Sequence, residues 1–267
     1  MTDEKKASTR SVDIEMEIDA TPEAAWRALT QPEEISRWFA PVVSGEAGPG
    51  GHITVSWGGG EWTNEIVTWK PGSHLGLRDV VPEGEEPPEP GTALDYFIES
   101  RDGKTVVRIV NSGFSADDEW ADFFHMLENG WAFFIWNLRH YLERHPGTPR
   151  TMVSARPWVS GSKEEVWSRL FGPGGLGNVP PEAGAPFALK LDDAVLEGSV
   201  VLADRPWAFA GRLSSLNDGV LHVEMEGSGD RWKVGFWMSA YDVSQDRCTA
   251  LQTALDAEMA RLFPEPS

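Results

Sequence analysis

The sequence predicts an α+β protein of two domains, each a curved antiparallel sheet wrapped around one long C-terminal helix. A helix start centred on tryptophan occurs twice, at residues 21–29 and 162–170. A strand-like run precedes each copy, and several strand-like segments and a final amphipathic helix follow it. One order of elements written twice indicates two related domains, over residues 11–145 and 151–264.

The two helix starts share a capping pattern. Each begins with a hydroxyl residue, Thr21 or Ser162, followed by acidic residues and then by Trp and Leu three positions apart. The hydroxyl oxygen accepts a free backbone N–H of the first turn, and carboxylates suit the positive end of the helix dipole. Both segments are therefore predicted helices.

After the first helix, apolar and polar residues of the first half alternate as they do in β-strands. A short helix is predicted over 32–39, and Asp102-Gly103 is a strong two-residue hairpin signal. The Glu- and Pro-rich segment 82–90 is expected to be a mobile acidic loop. The predicted strands are 12–18, 52–57, 62–69, 74–81, 92–101 and 104–110.

A long helix is predicted to close the first half, from Ser115 to Glu143, because apolar residues recur there at steps of three and four. Most of that stripe is expected to be core. A second, narrower stripe of Phe133, Trp136 and His140 lies beside it and is available to the other domain or to a partner.

The second half repeats the plan, ending in a helix over about 244–263. Cys248 belongs to the apolar stripe of that helix, which predicts a small buried hydrophobic residue rather than a nucleophile. Residues 172–177 satisfy G-x-G-x-x-G, but a helix precedes them instead of a strand, so we expect a loop. The predicted strands are 152–158, 187–191, 196–203, 207–213, 220–226 and 232–241.

Composition excludes several classes of function. The chain of 267 residues has a formal net charge of −19, and none of its 23 Lys and Arg residues forms a run. Nucleic acid and anionic membranes are therefore poor partners. The single cysteine, the polar residues 1–10 and the lack of a membrane-spanning apolar stretch predict a cytoplasmic protein.

No catalytic or metal-binding pattern stands out. The six histidines have no zinc-ligand spacing, although Asp122, His125 and Asn129 lie within helical reach of one another. No serine or cysteine lies in a nucleophile motif. We therefore predict no catalytic residues, no metal and no cofactor.

Aromatic residues from different elements of the first half point to a small-molecule site, because pockets are mostly apolar with a few polar groups. The alternative is that these rings only fill the core. The candidate ligand-binding residues are Trp38, Phe39, Trp57, Trp62, Asn64, Trp69, Tyr96, Arg108, His125 and Trp131.

Local motifs of the first half resemble a known superfamily. They include Thr21-Pro22-Glu23 with Trp26, Arg37-Trp38-Phe39, Gly50-Gly51-His52-Ile53, and Gly130-Trp131. Together with the order of elements they resemble the helix-grip (START/Bet v 1-like, SRPBCC) superfamily, in the branch of the activator of Hsp90 ATPase. The resemblance covers about residues 11–144.

The resemblance implies a ligand-gripping cavity but no set of catalytic residues. The second half matches at Trp167 and Leu170 and departs elsewhere, because residues 172–181 replace the short second helix. The second half therefore resembles a diverged copy of the fold of the first half.

Three functions remain open at this point. The first is non-catalytic binding of a small hydrophobic or aromatic molecule in the first domain. The second is a co-chaperone-like protein that stimulates an ATPase partner, with the Phe133/Trp136 stripe as a contact. The third, less favoured, is a cyclase or hydrolase with Asp122, His125 or Arg108 as acid or base.

Overall fold

A computed structural model describes residues 9–81, 91–117 and 120–264. The chain divides into two compact units, Met1–Gly147 and Thr148–Ser267. Each unit has a seven-stranded antiparallel sheet and ends in a long helix. The predicted α+β class with two helix-grip domains is thus confirmed. The acidic segment 82–90 lies outside the described residues.

The first unit contains seven strands and three helices. They are β1 (Thr9–Ile18), α1 (Pro22–Thr30), α2 (Pro32–Ile35), β2 (Val42–Glu46), β3 (His52–Ser56), β4 (Trp62–Lys70), β5 (His74–Asp79), β6 (Ala93–Arg101), β7 (Lys104–Ser115) and α3 (Ala121–Arg144). The strand order is β1-β7-β6-β5-β4-β3-β2, so strands β2 to β7 form a meander and β1 pairs with β7 at one edge of it.

The local signals of this unit act as the sequence predicts. The Thr21 hydroxyl accepts a hydrogen bond from the backbone N–H of Ala24 at 3.2 Å, at the start of α1. Asp102 and Gly103 have φ angles of 52° and 79°. Positive φ at both positions is what a two-residue hairpin turn requires, and the turn joins β6 to β7.

Strand alternation gives the sheet two different faces. The inner face, which meets α3, carries Leu75, Tyr96 and Ile109, which lie opposite one another on β5, β6 and β7 and are all buried. The outer face carries their neighbours, such as Phe97 and Arg108. Because side chains point to alternate sides of a strand, the register decides which residues α3 can contact.

The predicted boundaries of the long helix were wrong at its start. Residues up to Ser115 remain in β7, where Ser115 lies opposite Thr9 of β1, and α3 begins only at Ala121. The ladder with β1 satisfies the backbone groups that the helix would otherwise use. The predicted strand 104–110 is therefore longer, and the helix is shorter.

Two smaller elements also differ from prediction. The short second helix ends at Ile35 rather than at Phe39. The edge strand β2 was not predicted, since Val42–Glu46 contains only two apolar residues and a glycine. Its strand conformation comes from pairing with β3, a tertiary contact without a local signal.

The second unit repeats the plan with one interruption. Its sheet order is β10-β11-β12-β13-β14-β8, with β9 also paired to β14. The predicted strand 152–158 is split in two at Arg156-Pro157. The elements are β8 (Arg150–Ala155), β9 (Trp158–Ser160), α4 (Lys163–Phe171), β10 (Pro186–Leu191), β11 (Ala194–Asp204), β12 (Ala208–Leu213), β13 (Gly219–Ser228), β14 (Arg231–Tyr241) and α5 (Gln245–Leu262).

The interior of the second unit is a filled hydrophobic core. One contiguous cluster joins α4, α5 and the helix-facing residues of the sheet, and Cys248 lies in it as predicted. Burial raises the pKa of the Cys248 thiol. The Phe187 ring packs on the backbone of Gly211, where an added Cβ would overlap Phe187 Cε1.

None of the helices in the described residues has the length and apolar character needed to span a membrane.

The loop predicted for residues 172–177 is confirmed, because α4 ends at Phe171 with Gly172 as its C-cap and no helix follows before β10.

We expect Gly211→Ala to lower the free energy of unfolding by about 1–3 kcal/mol, because the new methyl group overlaps the Phe187 ring. In a Phe187→Ala background the same change should have little effect, since the ring is gone. Urea unfolding of the wild type, the two single variants and the double variant gives the coupling free energy between positions 187 and 211. Equal losses in both backgrounds would contradict the tight contact.

Candidate functional site

Five aromatic rings from four parts of the first unit meet at one end of the inner face. Phe39 follows α2, Trp57 follows β3, Trp62 begins β4, and Trp131 and Phe134 project from α3. We call this group the aromatic cluster.

Phe39 lies at the centre of the aromatic cluster. Its ring centroid is 4.6 Å from that of Phe134, 5.0 Å from Trp57 and 5.9 Å from Trp131. Trp57 in turn contacts Trp62 at 5.7 Å. Most of these pairs are edge-to-face, the arrangement that the ring quadrupole favours.

The cluster runs from solvent into the interior. Trp62 is 54% exposed, Phe39 and Trp57 are half-buried, and Trp131 is only 7% exposed. Beyond Trp131 lies Tyr96 of β6, at 6.3 Å and 5% exposed. A continuous aromatic surface therefore connects the exposed hairpin of β3 and β4 with a buried phenol.

The buried phenol is a neutral polar group. Within the described part of the chain, no hydrogen bond involves the Tyr96 hydroxyl. Burial raises the pKa of Tyr96, so its hydroxyl keeps its proton at physiological pH. Asn64 lies on the same inner face, two positions from buried Ile66 on β4.

The orientation of Trp131 is fixed by a buried asparagine. The indole Nε1–H of Trp131 donates to Asn111 Oδ1 at 2.9 Å, and Asn111 Nδ2 donates to the Ala93 carbonyl at 3.0 Å. Both partners of this bond are buried. Because the indole N–H points to β7, the ring presents its apolar surface to Phe39 and Tyr96.

Several predicted site residues lie elsewhere. Trp38 is buried core, and its indole N–H donates to the Ala28 carbonyl at 2.8 Å. Trp69 is half-buried and packs edge-to-face on Trp26 at 4.9 Å. His125 is half-buried in the first part of α3.

Arg108 lies on the outer face and does not join the aromatic cluster. Its Nε donates to Asp13 Oδ1 at 2.7 Å, an ion pair that lowers the pKa of Asp13. Arg108 alternates with buried Val107 and Ile109. That alternation was a usable signal in the sequence, because two apolar neighbours on β7 predict an outward arginine.

Two residues of the site were missed as candidates. Phe134 belongs to the stripe that the sequence predicts as core, yet its ring contacts Phe39, Trp57 and Trp131. Asn111 has an inner-face register on β7, as Ile109 has. A polar residue on the apolar face of a strand was the available signal for it.

The narrower stripe of α3 is largely covered. Phe133 and His140 are buried, at 5% exposed each, and Trp136 is half-buried. Large exposed rings occur instead at the N-terminal end of α3, where Trp120 and Phe123 pack together at 5.7 Å.

A polar cluster occupies one face of β13 in the second unit. Arg156 donates to both carboxylate oxygens of Glu226, at 2.7 and 2.8 Å, and Trp237 Nε1–H donates to Glu224 at 2.9 Å. Burial raises the pKa of Glu224 and of Glu226. Burial also lowers the pKa of His222 to about 3, against a smaller opposing effect of Glu226.

The first unit matches a known family. Residues 19–143 match the family described as "Activator of Hsp90 ATPase homolog 1-like protein". The matched segment contains α1, α2, β2–β7 and nearly all of α3. The first unit has the helix-grip fold, and the match supports the START/Bet v 1-like superfamily for it. No curated protein shows significant similarity to the chain.

Solved structures similar to the chain include single- and two-domain proteins. The Aha1 dimer from Colwellia psychrerythraea is 24% identical, with 52% of this chain and 99% of that chain covered and a TM-score of 0.45. DynU16, from the dynemicin biosynthetic locus, is 17% identical with 94% and 96% covered and a TM-score of 0.43. The di-domain ARO/CYC BexL, from the BE-7585A biosynthetic pathway, is 11% identical with 95% and 96% covered and a TM-score of 0.45.

We expect acid to destabilise the second domain through His222. Its folded pKa lies below the unfolded value, so stability is full above about pH 6.5 and is lost as the pH falls toward 3. A single such group lowers the free energy of unfolding by about 1 kcal/mol between pH 7.5 and 5.5.

Urea unfolding of the wild type and of His222→Gln at both pH values measures this effect. The difference between the two proteins isolates His222 from Glu224 and Glu226, whose raised pKa values act in the opposite direction. Parallel pH profiles would show that His222 does not titrate in this way.

Proposed function

We propose that the first helix-grip domain binds a small, uncharged aromatic or hydrophobic molecule between its sheet and α3, without catalysis. The observation that carries this proposal is the aromatic cluster, which leads from exposed Trp62 to the buried Tyr96 hydroxyl. A solvent-accessible aromatic surface with a buried polar end fits a ligand that has one polar group.

The charges around the site support an uncharged ligand. Tyr96 remains neutral, because burial raises its pKa. Arg108, the cation among the candidate ligand contacts, is paired with Asp13 on the outer face. Burying a charged ligand beside neutral rings would cost desolvation free energy, and the rings offer no opposite charge to offset that cost.

Non-catalytic binding is favoured over the cyclase or hydrolase alternative. A general acid or base must reach the reacting atoms and have a suitable pKa. Of the three candidates Asp122, His125 and Arg108, Arg108 has an outer-face register on β7, and Asp122 is exposed at the start of α3. Both positions support binding without catalysis.

We expect Trp62→Ala to weaken the binding of N-phenyl-1-naphthylamine, an uncharged fluorescent aromatic probe, by about fivefold to thirtyfold. The change removes the outer wall of the aromatic cluster, and a truncated aromatic contact is worth about 1–2 kcal/mol. Fluorescence titration measures it, beside native mass spectrometry of the freshly purified protein for a co-purified ligand.

The matched control is Trp158→Ala, since Trp158 of the second domain is 55% exposed, nearly as exposed as Trp62. Its ring lies beneath Arg231 and Lys233 rather than in the cluster. Equal effects of the two substitutions, or no saturable binding by the wild type together with an empty native spectrum, would refute the proposal.

We expect Tyr96→Phe to weaken the binding of 2-naphthol about threefold to tenfold and to leave the affinity for naphthalene unchanged. The substitution removes only the hydroxyl, and a neutral hydrogen bond contributes about 0.5–1.5 kcal/mol. Isothermal titration calorimetry with both compounds measures the difference. A parallel loss for both would mean that Tyr96 acts by packing alone.

A second candidate function is stimulation of an Hsp90-type ATPase. It is favoured by the family match and by the exposed pair Trp120 and Phe123, because exposed apolar patches mark protein contacts. Trp120→Ala should then reduce the stimulation of a purified Hsp90-type chaperone and leave probe binding intact. An unchanged ATPase rate with the wild-type protein would rule this function out for that chaperone.

A further inference from the structure

A buried amide of α3 holds the chain segment that presents Phe39. Asn137 is 1% exposed, and its Nδ2–H donates to the Trp38 carbonyl. On the other side, the Trp38 indole N–H donates to the Ala28 carbonyl at 2.8 Å. Trp38 is thus fixed between α1 and α3 by two hydrogen bonds, both buried.

Phe39 lies next in the chain to the clamp formed by these two hydrogen bonds of Trp38. Phe39 is the next residue in the chain, after α2 has ended at Ile35. Its ring nevertheless contacts four others, those of Trp38, Trp57, Trp131 and Phe134. The backbone N–H of Phe39 donates to the Ile35 carbonyl at 2.9 Å, and the carbonyl on the other side of that peptide, Trp38, accepts from Asn137. Two hydrogen bonds therefore restrain the backbone beside this ring, and one of them comes from α3.

The same amide has an unsatisfied end. Asn137 Oδ1 is buried and has no hydrogen-bond partner in the described part of the chain. A buried acceptor without a donor lowers stability, and buried polar groups are normally paired. An apolar residue would avoid that penalty, so the amide fits a role in holding Trp38 rather than a role in stability.

We propose that Asn137 is a positioning residue for the aromatic site. It acts through the Trp38 carbonyl and keeps the Phe39 ring against Trp57 and Trp131. The inference rests on the proposed ligand-binding function of the aromatic cluster. Asn137 is distinct from the ring residues, because its hydrogen bond is to the backbone of Trp38 and not to a ring.

A fluorine label reports on the ring without any ligand. In the full chain, 4-fluorophenylalanine replaces Phe39, and ¹⁹F NMR records its resonance, which the neighbouring indole rings displace from that of the free amino acid. We expect Asn137→Ala to move the resonance toward the free value.

The matched control is Leu138→Ala. Leu138 is the next residue of α3 and is fully buried, so its truncation lowers stability without touching the clamp. Its ¹⁹F resonance should stay near that of the wild type in the folded protein. An unmoved resonance in Asn137→Ala, or an equal movement in Leu138→Ala, would overturn the positioning role.

The functional arm uses N-phenyl-1-naphthylamine with the same variants. We expect Asn137→Ala to weaken the binding of the probe about tenfold, which is the order expected when one packed ring leaves a site. Leu138→Ala should weaken that binding far less. Unchanged affinity in Asn137→Ala would refute the link to binding. Failure of the wild type to bind the probe refutes the proposed function, whereas the ¹⁹F arm still decides whether Asn137 positions Phe39.

Discussion

One helix must cover the inner face of a seven-stranded sheet, and most of the structure follows from that constraint. Strands about 4.8 Å apart make the first sheet, seven strands wide, nearly 30 Å across, whereas a helix with its side chains is about 10 Å wide. The second sheet is six strands wide, or about 24 Å, because β8 and β9 both pair with the same edge of β14. Curvature of the sheet reduces this difference in width but does not remove it. Other groups must cover the remaining apolar surface, and the two domains use different ones.

The second domain fills its interior with side chains. Phe187 lies against Gly211, and Cys248 completes the face of α5, within one contiguous core. The first domain instead gathers half-buried rings at one end of the sheet, around Phe39, with Trp62 in solvent. The same fold is thus packed differently in its two copies, because interior packing depends on few side chains.

Buried amides give the aromatic surface its geometry. Asn111 fixes the indole of Trp131, and Asn137 fixes the backbone beside Phe39. Aromatic contacts alone are weakly directional, whereas hydrogen bonds in a buried setting define both distance and angle. The site can therefore be described as rings for contact and amides for position, with the neutral Tyr96 hydroxyl as its polar end.

Capping, alternation and helical periodicity are local patterns, and they were enough to predict the α+β class, the duplication, the hairpin at Asp102-Gly103 and the burial of Cys248. The folded chain was needed to show that Ser115 stays in β7, that Arg108 pairs with Asp13, and that Phe134 and Asn111 join the site. Strand register and cross-strand pairing set these outcomes, and they depend on residues far apart in the chain.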